Sequence, residues 1–142
     1  MMKDVYLVIG VPASGKSWAC NQLKTKFEYV HHDGFIYLKN PAAYLTAVRT
    51  TAMGAQKPLL IEAPFSMGIM WDLEILGYNV TPIFILEKEE ILRARYKQRE
   101  RVEESIIQGH LTRQETFRKR AIKAKAFMGD STQVFNHLDR IK

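Results

Sequence analysis

With 142 residues, 46% hydrophobic and 25% charged, the chain has the size and composition of one ordinary globular domain with a sizeable core. A lone cysteine, Cys20, excludes an internal disulfide framework and argues against a zinc site. No apolar stretch approaches the length of a membrane span, and Lys3-Asp4 ahead of a strand does not read as a signal peptide, so a reducing cytoplasm is the expected setting. The net charge of +6 is uneven: residues 93–125 carry eleven Lys/Arg against four Asp/Glu, a net +7, which leaves −1 for the rest. That excess suits an anionic partner such as a polyphosphate or a nucleic acid, although most individual charges there read as solvated helix surface.

In chain order, Asp4–Ile9 reads as a first buried strand and Ser17–Phe27 as a helix, which makes Cys20 a buried structural thiol. Between them, residues 10–17 read Gly-Val-Pro-Ala-Ser-Gly-Lys-Ser, a complete G-x-x-x-x-G-K-S loop in strand–loop–helix context. Such a loop turns successive main-chain amides into one concavity where a polyphosphate sits. Gly10, Pro12, Ala13, Ser14, Gly15, Lys16, Ser17 and Trp18 are therefore the candidate nucleotide-binding residues. Lys16 would reach the β- and γ-phosphates and the Ser17 hydroxyl would ligate Mg²⁺.

A second strand is expected at Glu28–His32, cut off by Asp33-Gly34. A helix follows over Ala42–Ala55, with Asn40 as cap and Pro41 in the first turn. Leu59–Ala63 is an almost wholly apolar strand, as a central parallel strand should be. Pro64–Leu76 reads as a shorter helical segment ending at Gly77, and Val80–Leu86 as a fourth strand. A long helix runs from Lys88 with Glu89 and Glu90 in its first turn, is interrupted at Gln108-Gly109, and resumes over Thr112–Phe127 behind a Thr112/Glu115 capping box. Gly129-Asp130 ends it, and Thr132–Leu138 reads as a last short strand. Five strands alternating with helices imply an α/β fold with a parallel sheet covered on both faces, and ligands in such folds bind beyond the carboxyl ends of the strands.

That rule singles out three further places. Asp33, directly after the second strand, could take the proton of an attacking hydroxyl and orient it toward a γ-phosphoryl group; the competing reading is an Asp-Gly turn without chemistry. Glu62, an acid at the tip of an apolar strand, is costly to bury unless paired or facing metal, and a place near Mg²⁺ would resolve this. Arg95 and Arg99, at i and i+4, share a helix face and could close over the phosphates. Arg93, Lys97 and Arg101 form a second row, read as solvated surface or acceptor-binding charge, and the segment around residues 93–115 is the candidate lid.

The phosphate loop, the aspartate after strand 2, the acid-tipped strand 3 and the L-x-x-R-x-x-x-R helix from Leu92 to Arg99 occur in one order. This set resembles the small P-loop kinases, particularly the phage-type polynucleotide kinases, with zeta-toxin-like kinases, chloramphenicol phosphotransferase and gluconate kinase as looser relatives. The resemblance covers nearly the whole chain and implies a P-loop NTPase sandwich of three layers with strand order 2-3-1-4-5. It implies that Lys16 and Ser17 are the loop's lysine and metal-binding hydroxyl, Asp33 the general base, and Arg95 and Arg99 the lid arginines. Two departures mark this chain: the acceptor-gripping arginine three residues after the aspartate is replaced by Ile36, and neither a phosphatase domain nor a long base-binding C-terminal segment follows. The function implied is Mg²⁺- and ATP-dependent phosphoryl transfer to a hydroxyl, on a nucleic acid 5′ end, nucleoside or nucleotide. The alternatives are a kinase for a small metabolite, an antibiotic or a nucleoside monophosphate, or a P-loop ATPase without a second substrate.

Overall fold

A computed structural model describes residues 3–30, 39–63, 68–99 and 103–141. Among them, β1 (Asp4–Ile9), β2 (Glu28–Val30), β3 (Leu59–Ala63), β4 (Asn79–Ile85) and β5 (Phe127–Gly129) form one parallel sheet of order β2-β3-β1-β4-β5. β1 is central, with Val8 in register with Glu62 of β3 and with Ile83 of β4. Its near-continuous apolar run follows from this position, because both of its faces are covered.

Alternate strand residues feed two cores. On one face, Val5, Leu7, Ile9, Ile61 and Phe84 pack beneath α2 (Pro41–Gly54), α3 (Gly68–Ile75), α4 (Glu89–Gln98) and α5 (Glu104–Ala124). On the other, Val8, Leu60, Ile83 and Ile85 meet α1 (Lys16–Asn21) and α6 (Ser131–Asp139). Cys20 is wholly buried in this second core, and burial pushes its thiol far above the ordinary value. No helix among the described residues is long and apolar enough to cross a membrane.

The expected helix at Asn40-Pro41 forms with the Asn40 side chain accepting from the Ala43 amide at 3.1 Å. Several other expectations are corrected. The first helix stops at Asn21, and turns carry the chain to Phe27, which plugs the second core. The third helix begins at Gly68, and residues 64–67 and the expected strand end at 31–32 lie outside the described residues.

The helix after β4 does not break at Gln108-Gly109. α4 ends at Gln98, and α5 runs unbroken through both residues. A helical glycine costs about 1 kcal/mol relative to alanine, but Ile107, Gln114, Phe117 and Ala121 bury one face of α5, and packing overrides the propensity. The Thr112/Glu115 capping box is accordingly absent. The Thr112 carbonyl accepts from Thr116 Oγ1 at 3.3 Å, and Glu115 pairs with Arg118.

The end of the chain is also rearranged. α5 closes at Ala124 on Lys125, in the left-handed conformation at φ 54°. Phe127–Gly129 supplies the fifth strand, and the expected strand Thr132–Leu138 is helix α6. A reciprocal capping box drives this outcome: the Gln133 amide donates to Asp130 Oδ1 at 2.8 Å and the Asp130 amide to Gln133 Oε1 at 2.9 Å. Val134 and Leu138, four apart, then face the core. Asp130→Ala should cost about 1 kcal/mol and lower the melting temperature by about 3 °C, read by thermal unfolding; an unchanged melting temperature would mean that packing alone holds α6.

Candidate functional site

The chain leaves β1 at Gly10 and turns sharply. A Cβ on Gly10 would lie 2.7 Å from Ser14 Oγ and 3.1 Å from the Ile85 carbonyl, so no larger residue fits there. Ala13 and Gly15 both take positive φ, 66° and 101°. Gly15 is required twice over, by its backbone angle and because a Cβ would lie 2.6 Å from Ser131 Cβ at the start of α6.

Three successive carbonyls of the loop are each taken by a side chain. Lys16 Nζ donates to Val11 O at 2.9 Å, Tyr96 Oη to Pro12 O at 2.7 Å and Arg95 Nη1 to Ala13 O at 2.8 Å. The amides at the turn into α1 have no carbonyl partner within that helix, an arrangement that can receive an anion. Ser14 Oγ is fully buried and without a hydrogen-bond partner among the described residues.

Lys16 is 8% exposed, and burial lowers its ammonium to about 8; the Glu62 carboxylate works in the opposite direction, and Arg99 adds a smaller push down. Ser17 Oγ donates to Glu62 Oε1 at 3.0 Å, so the two expected metal residues meet across the β1–β3 boundary. Glu62 Oε2 accepts from the Tyr29 hydroxyl, which holds the carboxylate on its other side. A hydroxyl beside a carboxylate, open to phosphate and water oxygens, fits the hard oxygen set that Mg²⁺ prefers.

A cavity of about 700 Å³ opens in front of the loop, lined by Lys16, Ser17 and Trp18 on one side, by Arg95 and Arg99 on another, and closed by Ser131 and Thr132. Both arginines therefore reach the expected place, but differently. Arg95 is committed to Ala13 O and to Glu87 Oε2 at 3.4 Å. Arg99 has left the helix as its extended C-cap, where its amide donates to Tyr96 O at 3.1 Å, and its guanidinium makes no hydrogen bond or ion pair among the described residues. Trp18 is 48% exposed at the rim, its ring edge-on to Phe135 at 5.9 Å. Arg93 is bound to Glu89 and Glu104, which ties α4 to α5 at the surface. Asp33, Ile36 and Arg101 lie outside the described residues.

Four participants carry no sequence motif: Tyr29, Tyr96, Ser131 and His110. His110 on α5 stacks on Tyr96 at 5.4 Å and is held below the usual histidine value, by burial first and then by Arg113, Lys16 and Arg99.

No protein-family model matches the chain, and neither does any curated protein. Among solved structures it is similar to a gluconokinase from Sinorhizobium meliloti 1021, at 16% identity over 78% of this chain and 74% of that one, with a TM-score of 0.51. The likeness concerns the fold: a P-loop α/β sandwich with strand order 2-3-1-4-5.

Lys16 gives the site a pH signature. The folded chain releases this proton near pH 8 while the unfolded chain keeps it to about 10.5, so the unfolded state binds more protons in that window and stability from this group rises with pH. Ligand-free wild type should therefore gain up to about 2 kcal/mol relative to Lys16→Met between pH 8 and 10, measured by chemical denaturation; parallel pH profiles would show that Lys16 titrates normally.

Proposed function

We propose that the chain is a Mg²⁺- and ATP-dependent kinase that transfers the γ-phosphoryl group to a hydroxyl, with a nucleic acid 5′ end, nucleoside or nucleotide as the favoured acceptor. The observation that carries this reading is the loop itself, its three carbonyls each held by a side chain and Lys16 set beside the Ser17–Glu62 pair. The loop amides and Lys16 would cradle the β- and γ-phosphates, with Trp18 against the nucleotide at the rim. Ser17 and Glu62 would hold Mg²⁺, which supplies positive charge to the phosphate oxygens when bound.

The Asp33 carboxylate takes the proton of the acceptor hydroxyl as its oxygen bonds to the γ-phosphorus. The bond from that phosphorus to the β,γ-bridging oxygen breaks, and the electron pair leaves with ADP. Arg99, free of the contacts that hold Arg95, places its guanidinium on the charge of the transferring group. α4 and α5, joined through residues 99–103, act as the lid over this centre, and their basic surface favours a phosphate-bearing acceptor. The likeness to a gluconokinase favours a second acceptor class, small polyhydroxy metabolites.

Labelled γ-phosphate offered with oligonucleotides, nucleosides, nucleotides and sugar acids separates these classes, and release of labelled phosphate with no labelled product would identify an ATPase instead. Lys16→Ala should abolish ATP binding and transfer together. Asp33→Asn should bind ATP normally and lose transfer; full retention of transfer would remove Asp33 from the mechanism. Arg99→Ala should lower kcat by about 10²–10³-fold, with ATP affinity within a few-fold of wild type; an equal loss of affinity would make Arg99 a ground-state binding residue.

A further inference from the structure

Glu87 and Gln114 have no part in the chemistry described above, yet both are buried polar residues, each 6% exposed. Glu87 follows β4 directly, at the carboxyl end of the sheet. A buried carboxylate is costly without partners; its Oε1 accepts from the Lys88 amide at 3.1 Å and its Oε2 faces Arg95 Nη2 at 3.4 Å. Its main chain is gripped from α5, where Gln114 Nε2 donates to Glu87 O at 2.7 Å and Gln114 Oε1 accepts from Glu87 N at 3.0 Å. The other side of Arg95 donates to Ala13 O, and Ala13 is the one loop residue with a Cβ that is held at positive φ. An unbroken series of contacts thus runs from the core face of α5, through Glu87 and Arg95, to the most strained peptide of the phosphate loop.

We infer that Gln114 and Glu87 are positioning residues that act through Arg95 to hold the loop in its anion-binding shape, and that they set nucleotide affinity. This rests on the proposal that the loop binds ATP. Gln114 fixes the peptide from which the Glu87 side chain departs. Glu87 orients the guanidinium, and the guanidinium holds the Ala13 carbonyl and so fixes the conformation of that peptide. Because Gln114 sits on one lid helix and Arg95 on the other, the same contacts make the loop's shape depend on the packing of α5 against the sheet.

The test is ATP affinity by titration calorimetry on the full chain, alongside the melting temperature of each variant. Gln114→Met and Glu87→Ala should each bind ATP about tenfold more weakly, the factor that one hydrogen bond to a charged group is worth. Glu87→Gln, whose one amide oxygen can still accept from Arg95 while its NH2 gives up the bond from the Lys88 amide, should recover part of that loss. The double variant Gln114→Met/Arg95→Ala should bind no more weakly than Arg95→Ala alone, since Gln114 works through Arg95. A Gln114→Met chain that melts lower but binds ATP as wild type does, or losses that add in the double variant, would reduce Gln114 to a structural role. Should Gln114→Met fail to fold, Glu87→Gln against Glu87→Ala decides: equal losses would overturn the inference. If wild type itself does not bind ATP, the nucleotide proposal falls, and this inference with it.

Discussion

The constraint on which the site depends is that a main-chain loop must keep its carbonyls away from the space where an anion would sit. The carbonyls of Val11, Pro12 and Ala13 are each held by a side chain, and the Ser14 amide turns back to Val11 O at 3.2 Å, so the free amides are those at the turn into α1. Left alone, a loop with Ala13 at positive φ would relax. Here Lys16, Tyr96 and Arg95 each take one carbonyl. The phosphate loop is therefore not self-sufficient: two of its three supports come from α4, more than eighty residues away.

The surrounding elements serve the same constraint. α6 starts hard against Gly15, so its capping box at Asp130 and Gln133 positions a wall of the cavity as well as a helix end. β3 presents Glu62 beside Ser17 because β1 and β3 are neighbours in register, and Tyr29 from β2 restrains the far side of that carboxylate. Charge is arranged around the same loop: burial lowers the Lys16 ammonium to about 8, and the Glu62 carboxylate works against that shift. The two arginines of α4 divide their tasks accordingly, one bracing the loop and the other left to face the cavity.

Much of this was legible from residue order. The G-x-x-x-x-G-K-S pattern located the loop, the apolar runs located β1 and β3, and the acid ending β3 pointed to the place opposite Ser17. Where the fold departs from local sequence signals, the cause is physical. Gly109 signals a helix break on propensity alone, which is local, whereas the helix it lies in is held by the buried Ile107, Phe117 and Ala121. Residues 132–138 alternate enough to resemble a strand, but the Asp130/Gln133 cap and the four-residue spacing of Val134 and Leu138 committed them to a helix. Tyr96, Gln114 and Glu87 gave no warning, since a buried hydrogen bond to a distant peptide leaves no periodicity or motif.

By itself, residue order determined the phosphate loop and the parallel α/β class, while the strand order was implied only by the resemblance to the small P-loop kinases. These rest on short-range facts: backbone freedom at glycine, apolar runs, and donors at set spacing. Only the tertiary structure decided which side chains hold the loop, that Arg95 braces while Arg99 stays free among the described residues, and that the last strand lies at Phe127–Gly129. Those outcomes depend on which distant surfaces meet, and a contact between α4 and a loop on β1 is a property of the packed chain rather than of any segment in it.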